Sequence, residues 1–181
     1  MIALLFVAAS LSACSDVTRP PPAATVVEFA GGGISPESVT QSFFEDFTSA
    51  LSDPGLNAPD RRNYWVVRLA AYFTMEERRD QEKSIDSALT HFVEGRTGLA
   101  DNETLTLELR YDRPQKVADD GTRALVKLPN ATIAMTIVQA TSSGPVTVYE
   151  QPIGLDKVTG RSDSTVPLVK VNGRWYLTEG S

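Results

Sequence analysis

The hydrophobic period of this chain changes from about 3.6 residues to two near Gly98, which restricts the fold to helices first and strands after. Upstream, ISPESVTQSFFEDFTSALSDPG reads as a helix with Ser35 as N-cap, Pro36 in the first turn and Glu37 at the positive end of the dipole. Val39, Phe43, Phe47 and Ala50, flanked by Phe44 and Leu51, form its apolar face, and DPG stops it. A second helix is expected from near Asp60 through RRNYWVVRLAAYF. It is apolar around most of its circumference, as a helix held between other elements must be. A third is expected from Thr74, with Glu77 completing a capping box, to about Gly95, with Ile85, Ala88, Leu89, Phe92 and Val93 on one face.

Beyond Gly98, TLTLELRY puts Leu105, Leu107, Leu109 and Tyr111 on one side of a strand and Thr104, Thr106, Glu108 and Arg110 on the other. Further strands are expected at RALVKL, TIAMTIV, VTVYEQ, TVPLVKV and RWYLT, joined by DDG, TSSG and NG turns. Asn172-Gly173 is the clearest hairpin signal. Trp175 and Leu177, with Val169 and Val171 on the preceding strand, are expected to cover Phe43 and Phe47. The fold class is α+β, three N-terminal helices packed on a curved, mostly antiparallel sheet, in one domain over residues 35–181.

The N-terminal end follows a different grammar. MIALLFVAASLSAC carries no charge from Ile2 to Ala13, is too short to cross a bilayer, and has the length of a signal-peptide core. Its last four residues, Leu11, Ser12, Ala13 and Cys14, resemble the lipobox of bacterial lipoproteins. The resemblance implies that residues 1–13 are a lipoprotein signal peptide and that Cys14 is acylated, with chains such as palmitate, and anchors the protein to a membrane of the cell envelope. The pattern departs in one respect: no Lys or Arg precedes the apolar core, so either the start is expected upstream of Met1 or the basic region is missing. SDVTRPPPAATVVEFAGGGI follows, a tether over residues 14–34 with a proline triplet, a glycine triplet and a short TVVEF run that could pair with a sheet edge. With Cys14, the one cysteine, consumed by lipid, none remains for a disulfide, a thiolate nucleophile or a metal.

The order of elements in the domain suggests a family. The amphipathic SPESVTQSFFEDF helix, a second helix ending LAAYFT, a third helix, then hairpins closing on NGRWYL together resemble the nuclear-transport-factor-two-like cone found in small bacterial lipoproteins. That resemblance implies a conical pocket, used by some members for isomerase or dehydratase chemistry and by others for binding or dimerisation, so a homodimer is one expected partner. Fold alone does not choose among them.

The chemistry in the chain is sparse. The net charge of −6 mixes both signs and lacks the basic stripe of a nucleic-acid partner. The single histidine, His91, falls opposite the Ile85–Leu89–Phe92 stripe and is expected in solvent, so neither a histidine metal site nor a serine–histidine triad is expected, and no cofactor. Asp46, at the border of the first helix's apolar face, is the candidate acid or base, with Tyr72 as its hydroxyl partner. Glu45 and Glu108 point away. Phe43, Phe47, Trp65 and Tyr72 are candidate pocket-lining residues, and Tyr64 is a further aromatic of the second helix. Asp119-Asp120-Gly121 reads as a turn rather than a cation site, residues 31–33 lack the context of a phosphate loop, and MEERRDQEK is a solvated helix face. Two functions follow: a lipid-anchored, non-enzymatic module for a small apolar ligand or an envelope protein, and a small isomerase- or dehydratase-like enzyme built on Asp46.

Overall fold

The computed structural model describes residues 31–96, 98–154 and 164–179. The expected signal peptide, Cys14 and the expected tether up to residue 30, TVVEF included, lie outside the described residues.

Helix α1, Pro36–Leu51, starts where the sequence places it. Ser35 has extended backbone, and its side chain accepts from Ser38 N at 3.2 Å. Asp53 closes the turn after it by accepting from Gly55 N at 2.8 Å. Helix α2, Pro59–Ala70, begins one residue before the expected Asp60 and stops before Tyr72 and Phe73. Those two residues instead run beside the last strand: Leu177 N donates to Tyr72 O at 2.9 Å, and Phe73 bridges Leu177. Helix α3, Met75–Arg96, is capped by Thr74, whose Oγ1 accepts from Glu77 N at 3.3 Å and lies 3.1 Å from Glu77 Oε2. Leu89 is fully buried, while Ala88, placed on the same face from the sequence, is exposed.

Seven strands follow: β1 Glu103–Arg110, β2 Gln115–Asp119, β3 Arg123–Lys127, β4 Thr132–Thr141, β5 Gly144–Gly154, β6 Thr165–Val171 and β7 Arg174–Leu177. They form two antiparallel sheets, β1-β4-β5 and β2-β3-β6-β7, not the single curved sheet expected. The two share one register. Arg110 faces Thr132 at the end of one sheet and Gln115 faces Lys127 at the start of the other, five residues on in one strand and five back in its partner. β1–β2 and β4–β3 are therefore the two arms of one long hairpin interrupted by a corner. Pro114 and Pro129 sit there without N–H groups to donate to the ladder, and Asn130 takes φ 54°. Asp112 ties the corner, its N donating to Pro129 O at 3.0 Å and its carboxylate accepting from Asn130 Nδ2 at 2.7 Å.

Two apolar clusters hold the layers. One joins α1 to the four-stranded sheet through Val39, Phe44, Val126, Leu128, Leu168, Trp175 and Leu177, and the other joins the helices through Ala50, Leu56, Trp65, Val66, Leu69 and Leu89. Trp175 is buried as expected, 4% exposed. Its companions on β6 are Val166 and Leu168, however, not Val169 and Val171. A two-residue turn at Asn172-Gly173 pairs Val171 with Arg174 and Lys170 with Trp175, and residues facing each other across an antiparallel pair share a side. Phe43 packs on both clusters, whereas Phe47 belongs to the helical one.

The glycine run also has a place. Gly33 exchanges two backbone hydrogen bonds with Trp175, at 3.0 and 2.9 Å, although the sequence assigns it to the tether. A Cβ on Gly31 would stand 1.8 Å from Ala71 O, so only glycine passes there.

Candidate functional site

Asp46 lies on the third turn of α1, Arg68 on the last turn of α2, and Tyr72 just past the end of α2. Arg68 grips the carboxylate with both arms of its fork, Nη2 to Oδ1 at 2.7 Å and Nε to Oδ2 at 2.7 Å, and Tyr72 Oη donates to Oδ2 at 2.7 Å. Such a bidentate pair fixes orientation as well as charge. Arg68 Nη1 also donates to Tyr64 Oη at 3.3 Å, and the guanidinium carbon sits 5.8 Å from the Trp65 ring centroid. The Asp46 side chain is 14% exposed and that of Arg68 34%.

The electrostatics follow from these contacts. Burial, then the hydrogen bond to Asp46, pushes the Tyr72 hydroxyl far above the usual tyrosine range. The bond to Asp46 likewise raises Arg68, against the opposing effect of desolvation. Tyr72 thus keeps its proton, Arg68 keeps its charge, and both oxygens of Asp46 already accept from them. Oδ2 takes two of these bonds and Oδ1 one.

A cleft of about 230 Å³ opens beside this network, lined by residues 31–33 and by Ser38, Ser42, Asp46, Arg68 and Tyr72. Of the expected pocket residues, Tyr72 lines this cleft. Phe43, Phe47 and Trp65 pack in the clusters between layers instead. Helical spacing marked them as inward-facing, but inward here means core.

The other candidates fall as read. His91 is exposed on α3. Glu45 accepts from Gln41 on the outer face of α1, and Glu108 pairs with Arg110 at 2.6 Å on the exposed side of β1. Asp119 and Asp120 serve their own turn: Asp119 accepts from Gly121 N, and Asp120 Oδ1 accepts from Thr122 N and Arg123 N. Among the described residues, no three His, Cys, Asp or Glu side chains converge as metal ligands do, and no helix is long and apolar enough to cross a membrane.

A second polar knot was not legible in the sequence. Asp53, 9% exposed, accepts from Trp65 Nε1 at 2.7 Å and from Arg61 Nε at 2.5 Å. These donors, Trp65 first, hold its carboxyl below the usual range against the opposing effect of burial. As the first residue of DPG, Asp53 reads as a turn residue; nothing local marks the tryptophan it holds from 12 residues away.

No protein-family model and no curated protein matches the chain. Among solved structures, a function-unknown protein from Mycobacterium tuberculosis matches at 13% identity, over 81% of this chain and 73% of that chain, with a TM-score of 0.27.

Proposed function

We propose that this protein is a lipid-anchored, non-enzymatic binding module of the cell envelope, carried on a nuclear-transport-factor-two-like domain and held to the membrane through an acylated Cys14. The observation that carries the non-enzymatic part is the closed Asp46–Arg68–Tyr72 network. A general acid or base needs a free proton site with a pKa near the working pH. Here the carboxylate is gripped at both oxygens and the tyrosine is held protonated. The lipobox-like run and the proline-rich tether support the anchored part. One myristoyl chain alone gives only reversible attachment, so a stable anchor calls for a second chain on the same cysteine.

The test is metabolic labelling with a radioactive fatty acid in a lipoprotein-processing bacterium. The parent chain should take up label and fractionate with membrane, and Cys14→Ser should do neither. Equal label in the two chains would overturn the anchor.

One observation favours the second reading, a small isomerase- or dehydratase-like enzyme. Tyr72 Oη lies 2.7 Å from Asp46 beside an open cleft, the pairing that such chemistry would use. In that case Asp46→Asn should abolish a turnover in chains that are still folded; the binding reading places its effect in stability alone.

A further inference from the structure

The turn that closes the four-stranded sheet carries chemistry of its own. Asn172 and Gly173 join β6 to β7 as a two-residue loop with φ 50° and 81°, the left-handed conformation that a primed hairpin turn requires at both positions. Asparagine and glycine adopt it at little cost. The same pair is a chemical weak point. The side-chain amide carbon of an asparagine and the backbone nitrogen of the next residue are spaced to close a five-membered ring, and a glycine leaves that nitrogen unshielded.

Burial and hydrogen bonding decide where such a ring can close. Asn172 and Gly173 are both exposed, and a Cβ on Gly173 would meet nothing within 4 Å. Among the described residues, no hydrogen bond engages the Asn172 side chain or the Gly173 N–H. The turn of related composition, Asp120-Gly121, is equally exposed but locked. Gly121 N donates to Asp119 Oδ1 at 2.8 Å, and Asp120 Oδ1 accepts from Thr122 N at 2.8 Å and Arg123 N at 2.6 Å. Asn57, Asn63, Asn102 and Asn130 each precede a residue with a side chain.

We propose that Asn172 is a site of spontaneous covalent modification, at which the side-chain amide is lost and aspartyl and isoaspartyl residues form. Gly173 N gives its proton to solvent base and attacks Asn172 Cγ. The N–Cγ bond forms, the Cγ–Nδ2 bond breaks, and the leaving nitrogen takes up a proton and departs as ammonia. A solvent water then opens the cyclic imide at either carbonyl, with no change of oxidation state. Ring closure needs the turn to open, and an exposed loop tip opens without the core.

The two products differ in what they do to the fold. An aspartyl residue suits the same turn. An isoaspartyl residue routes the chain through the side-chain carbon and lengthens the backbone by one methylene. The turn sets the pairing of Val171 with Arg174 and of Lys170 with Trp175, and the buried Trp175 exchanges two backbone bonds with Gly33. The added atom therefore strains the register of the closing strand.

The test holds the full chain carrying Cys14→Ser folded in mildly alkaline buffer and follows it by peptide mass spectrometry, with fragmentation that separates aspartyl from isoaspartyl residues. Asn172 should lose ammonia roughly tenfold faster than Asn57, Asn63, Asn102 or Asn130, as an unbonded loop tip beside better-held sites. Isoaspartate should accumulate at residue 172 and not at Asp120. The isoaspartyl fraction, resolved by ion exchange, should unfold at lower urea than the parent, and Asn172→Asp should unfold with the parent. An Asn172 that outlasts the other asparagines, or one that reacts only once urea has unfolded the chain, would overturn the proposal. So would an isoaspartyl chain as stable as the parent, since the turn would then not set the register.

Discussion

Asp46 accepts its three hydrogen bonds from side chains 22 and 26 residues further along the chain. The position of Asp46 beside an apolar stripe, and the presence of a tyrosine within reach, were legible in the sequence. The identity of Arg68 as its partner was not, because α2 must first pack against α1 to bring them together. Removing Asp46 takes from a partly buried guanidinium the two bonds it makes to that carboxylate, and from Tyr72 its acceptor. Asp46→Ala should therefore cost about 2 kcal/mol, discounted for the exposure of Arg68, and Asp46→Asn somewhat less. Urea unfolding measures both, and parental stability in Asp46→Ala would mean that the network is open to solvent. Asp53 gives a pH prediction. Its carboxyl is held below the usual value of 3.8 in the folded chain, so its contribution is complete above that value and disappears as pH falls through the lower, folded one. Below about pH 4, Asp53→Asn should lose stability less steeply with acid than the parent does. Parallel acid limbs in the two chains would contradict the Trp65 and Arg61 contacts.

Elements with a one-sided pattern were legible, and those without were not. β1 alternates half-buried and exposed residue by residue, and its strand was read directly. β2 is exposed at all five positions, so no period marks it; it is a strand because it continues the register of β1 along the other arm of the hairpin. The Asn172-Gly173 turn was plain, with φ 50° and 81° at its two residues, but which side of β6 it buries depends on counting through the turn. Trp175→Ala should cost about 3 to 5 kcal/mol, the range for a large core aromatic, and His91→Ala no more than about 0.5 kcal/mol. Chemical denaturation of the two variants checks both. The glycine run adds an outcome that its tether-like composition hides: a chain starting at Gly31 should keep its melting temperature, and one starting at Ile34 should melt several degrees lower for want of the Gly33–Trp175 pair. Identical melting of the two would show that the pair is marginal.

At the scale of the whole molecule, the chain folds helices and sheet around two clusters that meet at Phe43, and α3 is stitched to the C-terminal end of β7. Gln81 Nε2 donates to Glu179 Oε1 at 2.6 Å, and Thr178 Oγ1 donates to Glu77 Oε1 at 2.6 Å. The α+β order was legible from the change of period, and the division into two sheets was not, because Pro114 and Pro129 act across a pairing that no local pattern reveals. What the molecule does turns on whether its polar cleft is closed or poised. Carbon-13 labelling of the tyrosine ring at the hydroxyl-bearing carbon, followed by NMR through an alkaline titration, reads this at Tyr72 itself. A free tyrosine ionises near pH 10. If burial and Asp46 hold the proton as the structure has it, Tyr72 should keep it through pH 11, above the range of a free tyrosine. Ionisation of Tyr72 at or below pH 10 would contradict the closed network and return Asp46 to the role of a working acid.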